Sequence, residues 1–157
     1  MNGHGDPRAP RPGGGATPYL IVSGAAAAID FYMRALGARE RMRLEHDGRV
    51  GHAELDVEGG GIMLADEFPE RQALSPRSIG GTPVMIHIYV RDVDALAVRA
   101  RAEGMKELRA VETQFYGDRG GLFEDPFGHR WWIATHVEDV APDEIRRRAA
   151  ALHGLAP

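Results

Sequence analysis

The sequence predicts an α+β fold in which two βαβββ modules bound a concave cleft, and three observations predict it. The order strand, amphipathic helix, three strands can be read twice along the chain. Each reading is entered through the same dipeptide, Thr17-Pro18 and Thr82-Pro83. One such half cannot close a core around a strongly curved four-stranded sheet, so two must pair, within a chain or between chains.

The first strand is the short apolar run 18–22, Pro-Tyr-Leu-Ile-Val. A helix follows over 25–36, where Ile29, Tyr32, Met33 and Leu36 recur at i, i+3, i+4 and i+7 and Gly37 supplies the stop. Three strands come next, at 39–44, 50–57 and 61–64, separated by the turn signals His46-Asp47-Gly48 and Glu58-Gly59-Gly60-Gly61. The middle one alternates, with Ala53, Leu55 and Val57 on one face and His52, Glu54 and Asp56 on the other.

Residues 67–81 carry Pro, Ser, Arg and Gly without period and read as a linker, which would suit a lid. The pattern then restarts with a strand at 83–90. Asp92 caps a helix whose Val93, Leu96, Ala97 and Ala100 repeat the helical spacing until Gly104. Strands are predicted at 105–112, 121–124 and 130–136, and a last helix over 142–152. The domain organisation expected is a disordered tail over 1–15, one domain over 16–140 (modules 16–66 and 82–140 about the linker), and a helix and tail over 141–157.

Composition narrows the function. A chain of 157 residues with 43% hydrophobic and 27% charged residues suits one globular core. A net charge of -4 with interspersed signs offers phosphate backbones no basic face, so nucleic acid is not an expected partner. Arg146, Arg147 and Arg148 follow Asp143 and Glu144 in the direction the helix dipole favours, as on a solvated helix face. Cysteine is absent, which excludes disulfides and thiolate chemistry and points to the cytoplasm. No apolar stretch approaches a membrane span, so no membrane partner is expected. Serine-hydrolase elbows, phosphate-binding loops and zincin helices are not found.

The stretch 114–136, QFYGDRGGLFEDPFGHRWWIATH, with Asp125-Pro126-x-Gly128-His129 as the turn before its last strand, resembles the PhnB-like branch of the vicinal oxygen chelate superfamily. The opening Thr17-Pro-Tyr-Leu and the helix AAAAIDFYMRALG agree with it, and the likeness covers 17–139. The resemblance implies the glyoxalase/bleomycin-resistance fold and a homodimer. The superfamily holds metal-dependent glyoxalases, epimerases, dioxygenases and thiol transferases as well as metal-free antibiotic-binding proteins, so the fold alone does not select an activity.

In its enzymes the metal is held by inward-facing side chains on the first and last strands of each module. Carried over one position at a time, these fall on Thr17, Met63 (with Ala65 next on that face), Met85 and Trp132. None is a carboxylate or imidazole, so no metal cofactor is expected, and with it goes the Lewis acid of the standard chemistry. A slip of two residues would put His87 in place of Met85 and restore one ligand of four.

Within the cleft, Met63, Met85, His87, Tyr89, Phe115, Tyr116, Trp132 and His136 are the candidate ligand-binding residues; Trp132 would offer a flat surface for an aromatic ligand, or simply fill the space of the missing metal. His52, Glu54 and His87 are the catalytic candidates, as an acid/base set or ligands of an unconventional metal, against a plainer role as hydrogen-bonding wall. Asp118 and Arg119 are expected in a loop, paired with each other or with a ligand, and His129 is expected to hydrogen-bond across its turn. The function expected is binding of a small organic molecule, such as an antibiotic or secondary metabolite; the alternative is a glyoxalase-like lyase or isomerase. A third reading is a dimeric interaction module whose cleft leaves no room for a ligand.

Overall fold

The computed structural model describes residues 15–152. The expected tail over 1–15 lies outside the described residues except for Gly15, as do residues 153–157. In chain order the elements are β1 (Tyr19–Val22), α1 (Ala25–Leu36), β2 (Arg39–His46), β3 (Arg49–Val57), β4 (Gly60–Asp66), a 3-10 turn (Pro69–Arg71), α2 (Pro76–Ile79), β5 (Met85–Tyr89), α3 (Val93–Glu103), β6 (Lys106–Thr113), β7 (Asp118–Glu124), β8 (Arg130–His136) and α4 (Pro142–Leu152). They form two four-stranded sheets of identical topology, β1-β4-β3-β2 and β5-β8-β7-β6, with β1 parallel to β4 and β5 parallel to β8. The chain is therefore α+β with two βαβββ modules. No helix among the described residues is long and apolar enough to cross a membrane.

Helices α1 and α3 each cover one face of their own sheet. In the first module Leu20, Val22, Leu55 and Leu64 meet Ile29, Tyr32 and Leu36; in the second Ile86, Phe123, Trp131 and Ile133 lie in the same core as Leu96 and Ala100. The start of α1 has no capping side chain of its own. Asp66, at the end of β4, takes that role: its Oδ1 accepts from the Gly24 and Ala25 amides at 3.0 and 2.8 Å, and its Oδ2 from the Val50 amide at 2.7 Å. One carboxylate thus fixes strand, hairpin and helix together. Asp92 caps α3 as the sequence predicts, accepting from the Ala95 amide at 3.0 Å.

The modules pair within the chain, α1 lying against α3. Arg99 donates to the Ala35 carbonyl at 3.1 Å and Arg34 pairs with Glu103 at 2.8 Å. Below the helices sits Asp125, 4% exposed. Its carboxylate accepts from Tyr32 Oη (2.7 Å), Trp131 Nε1 (2.9 Å) and the amides of Phe127 (2.9 Å) and His129 (3.0 Å). Four donors, one of them from the other module, satisfy a charge that burial would otherwise penalise heavily. Burial and the adjacent Asp125 carboxylate push the Tyr32 hydroxyl well above its ordinary range.

The structure departs from the sequence reading at Asp118 and Arg119 and over 67–81. Asp118 and Arg119 open β7 instead of lying in a loop, and they do not pair with each other: Arg119 makes a two-pronged ion pair with Asp94 of α3 at 2.7 and 2.8 Å, and Asp118 turns to the other face of the sheet. His129 hydrogen-bonds across its turn as expected, its amide donating to Asp125, and its ring reaches further to the first module, Nε2 lying 3.0 Å from the Ile21 carbonyl on β1. The segment 67–81 is folded: Phe68 bridges Ala73, and Glu67 accepts from the Ser75 amide (2.6 Å) and the Ser78 hydroxyl (2.8 Å), which closes the first turn of α2.

Candidate functional site

Because the helices cover one face of each sheet, the strand residues of opposite parity form the open faces. On the first sheet the register runs Tyr19, Met63, Glu54, Met42 in one row across β1, β4, β3 and β2. On the second the corresponding row across β5, β8, β7 and β6 is His87, Trp132, Leu122, Arg109. The opening-strand residues directly across from Met63 and Trp132 are thus Tyr19 and His87, two residues beyond Thr17 and Met85. Tyr19 and His87 therefore occupy equivalent places in the two modules.

On the first sheet Tyr19 Oη lies 2.9 Å from His52 Nδ1, and His52 Nε2 lies 3.4 Å from Glu54 Oε1. Partial burial raises the Tyr19 hydroxyl above its usual range. His87 is on the other sheet, ring to ring with Tyr89 at 4.8 Å between centroids. The structure thus brings His52 and Glu54 together and puts His87 in a different group. Among the described residues no three His, Cys, Asp or Glu side chains are placed to hold a metal ion. The row positions supply phenol, thioether, imidazole and indole, with only Glu54 and His87 of metal-binding type, one on each sheet. This donor set does not fit the family's metal centre.

Two adjoining cavities open on the second sheet. One, of about 370 Å³, is lined by Met85, His87, Arg109, Gln114, Tyr116, Leu122 and Trp132. The other, of about 600 Å³, is lined by Tyr89, Tyr116, Asp118, His136 and Asp139, and by Val140, Ala141 and Ile145 from the approach to α4 and its first turn. Tyr116 lines both, so the two stand side by side along the sheet.

The polar groups of the larger cavity are bound to one another. Asp118, 4% exposed, accepts from Tyr89 Oη at 2.7 Å through one oxygen, and its other oxygen meets His136 Nδ1 at 2.8 Å. His136 Nε2 meets Asp139 at 2.8 Å. The two carboxylates hold the imidazole above its ordinary titration range, Asp118 contributing most, and the hydrogen bond to Asp118 likewise raises Tyr89. Tyr116 is raised chiefly by burial.

In the smaller cavity the indole of Trp132 approaches Gly120 closely, which the absence of a side chain there allows: a Cβ would meet the Ile133 carbonyl at 2.8 Å and Trp132 Nε1 at 3.0 Å. That Nε1 is buried without a hydrogen-bond partner, so the ring offers the cavity carbon surface.

Of the sequence candidates, Met85, His87, Tyr116 and Trp132 line the smaller cavity, and Tyr89, Tyr116 and His136 the larger. Met63 stands on the first sheet beside Tyr19 and Glu54. Phe115 lines neither cavity; its ring packs edge-on to Tyr116 and its carbonyl accepts from Arg148. Arg109, Gln114, Leu122 and Asp139 escape the sequence reading. Arg109 could be found only by pairing the strands, since β6 shifts register on both sides of it and its alternation is broken.

A model of the Glyoxalase/Bleomycin resistance protein/Dioxygenase superfamily matches residues 16–133. Uncharacterized proteins of Mycobacterium bovis and of Mycobacterium tuberculosis strain H37Rv are each 44% identical over 134 residues, covering 83% of this chain and 88% and 79% of theirs. Among solved structures, TioX from Micromonospora sp. ML1 superposes with a TM-score of 0.64 at 24% identity over 81% of this chain and 99% of its own. A PhnB protein from Bacillus cereus gives 0.58 at 16% over 76% and 98%. At those identities the likeness concerns the fold.

Proposed function

We infer that this chain, which belongs to the Glyoxalase/Bleomycin resistance protein/Dioxygenase superfamily, binds a small organic molecule without a metal, in the smaller of the two cavities on its second sheet. The observation that carries this reading is the cavity of about 370 Å³ walled by Met85, His87, Tyr116, Leu122 and Trp132. Its size is that of a small-ligand site, for which roughly 300–1,000 Å³ is usual, and its lining sets apolar Met85, Leu122 and Trp132 beside polar His87, Arg109, Gln114 and Tyr116. The flat Trp132 surface suits an aromatic body, and Met85 adapts to irregular shapes. An antibiotic or secondary metabolite of that kind is the ligand class proposed, and the absence of cysteine is compatible with a cytoplasmic setting.

The test is a thermal-shift screen of aromatic metabolites and glycopeptide antibiotics in the presence of a chelator. A ligand at a hundred times its dissociation constant stabilises by about 2.7 kcal/mol, which for a chain of this size raises Tm by about 5–10 °C. Absence of any stabilising compound would remove the main support.

Open-face apolar residues Tyr19, Met42 and Leu44 on the first sheet are exposed, and we propose that a second copy covers them in a homodimer. A monomer by light scattering at micromolar concentration would refute this. The alternative function, lyase or isomerase chemistry by His52, Glu54 and His87, draws on the linked Tyr19, His52 and Glu54 side chains. It predicts that His87→Ala abolishes an activity while the fold survives; full activity in that variant removes it.

A further inference from the structure

The two cavities on the second sheet differ in one respect. In the larger, Tyr89, Asp118, His136 and Asp139 satisfy one another. In the smaller, the side chains of Arg109 and His87 make no hydrogen bond or ion pair among the described residues, whereas Arg101 pairs with Glu107, Arg119 with Asp94 and Arg130 with Glu124. No carboxylate lines that cavity. A guanidinium left without an anion beside a flat indole, with no acidic wall opposite, is a recognition surface with one component missing.

From this juxtaposition we propose that the smaller cavity takes a planar aromatic anion, its ring system laid against Trp132 and its carboxylate held by Arg109. The inference rests on the reading of this cavity as the ligand site and adds the charge and shape of what it holds.

The row across the sheet sets the geometry. Arg109, Leu122, Trp132 and His87 sit on consecutive strands. Neighbouring strands are about 4.8 Å apart, so the backbones of Arg109 and Trp132 are separated by about 10 Å. An arginine side chain extended inward over Leu122 would cover much of that distance, and a flat acid on the indole would present its oxygens in the remaining space. Guanidinium is planar and offers paired N–H groups, which matches a carboxylate in a two-point contact that an ammonium does not reproduce. Trp132 contributes ring surface alone, because its N–H is turned into the sheet beside Gly120. His87, on the far side of the indole, is placed to donate to a second polar substituent of the ring.

The probes are 2-naphthoate and 2-naphthamide, which share a planar body and differ in charge, titrated into the full chain with calorimetry and the Trp132 indole N–H resonance as readouts. Naphthoate is expected to bind the wild type tenfold or more tighter than the amide, the factor of a charge-assisted hydrogen-bonded contact. Arg109→Gln is expected to cost naphthoate far more than the amide and so bring the two close together, Arg109→Lys to restore only part of the difference, and Trp132→Ala to weaken both probes. Equal binding of the two probes to the wild type, or an undiminished preference in Arg109→Gln, overturns the inference alone and leaves a charge-blind aromatic site. No binding of either probe, together with no hit in the metabolite screen, overturns both this inference and the reading beneath it.

Discussion

Asp118 shows how a single buried residue organises a wall of the larger cavity. At 4% exposure its carboxylate would be costly alone, and Tyr89 and His136 each satisfy one oxygen. His136 in turn lies between Asp118 and Asp139, with the phenols of Tyr89 and Tyr116 the other ionisable groups of that cavity. Its imidazole titrates above the ordinary value in the folded chain. Since the folded value is the higher one, the stabilisation is fully present below the unfolded value, near pH 6.5, and is lost as pH rises through the folded value. A proton-resonance titration should therefore place His136 above 6.5, and Asp118→Asn should bring it back down, because the larger of its two carboxylate partners is gone. An unaltered midpoint in Asp118→Asn would contradict the assignment. At this scale the sequence was legible where a residue's role is local. Asp92 caps the helix it precedes, and the superfamily resemblance of 114–136 pointed to Trp132, which lines the smaller cavity. It was not legible for Asp118 and Arg119, whose partners His136, Tyr89 and Asp94 lie 18, 29 and 25 residues away.

Between elements, the approach to α4 is fixed by a close passage of backbone over Gly117. The amides of Val137 and Glu138 both donate to the Gly117 carbonyl, at 3.0 and 2.9 Å, and a Cβ at that position would lie 2.0 Å from the Glu138 carbonyl oxygen. Gly117 also has φ +101°, where any other residue is strained. Arg148 of α4 then ties the helix back, donating to the Phe115 carbonyl and pairing with Glu138 at 2.8 Å. Gly117→Ala should destabilise the chain by about 2–3 kcal/mol and expose α4 to proteolysis ahead of the two sheets. An unchanged urea midpoint with α4 still protected would count against this docking. Helices and central strands were readable from their periods, as with Ile29, Tyr32 and Leu36 or Ala53, Leu55 and Val57. The beginning of β7 was hidden because Asp118-Arg119-Gly120-Gly121 has the composition of a turn, and only pairing with β8 reveals it as a strand. The register shifts in β6 likewise hid Arg109.

For the whole molecule, the repeat of Thr-Pro and of the element order was sufficient to foresee two equal modules. Their mode of pairing was not, because it depends on Tyr32 finding Asp125, 93 residues away, and on His129 finding Ile21, 108 residues away. The same pairing sets the two open faces in one chain, the first carrying Tyr19, His52 and Glu54, the second carrying His87, Arg109 and Trp132. The proposed function rests on the second of these faces, as a site that holds an organic ligand without a metal. Elemental analysis of the protein purified without chelator and without added metal tests that claim most directly. The account predicts zinc, nickel, iron, manganese and other divalent metals well below one equivalent per chain. One equivalent that survives dialysis, and is lost in a Glu54→Gln or His87→Ala variant that remains folded, would contradict it and transfer the function to a metal centre built on those residues.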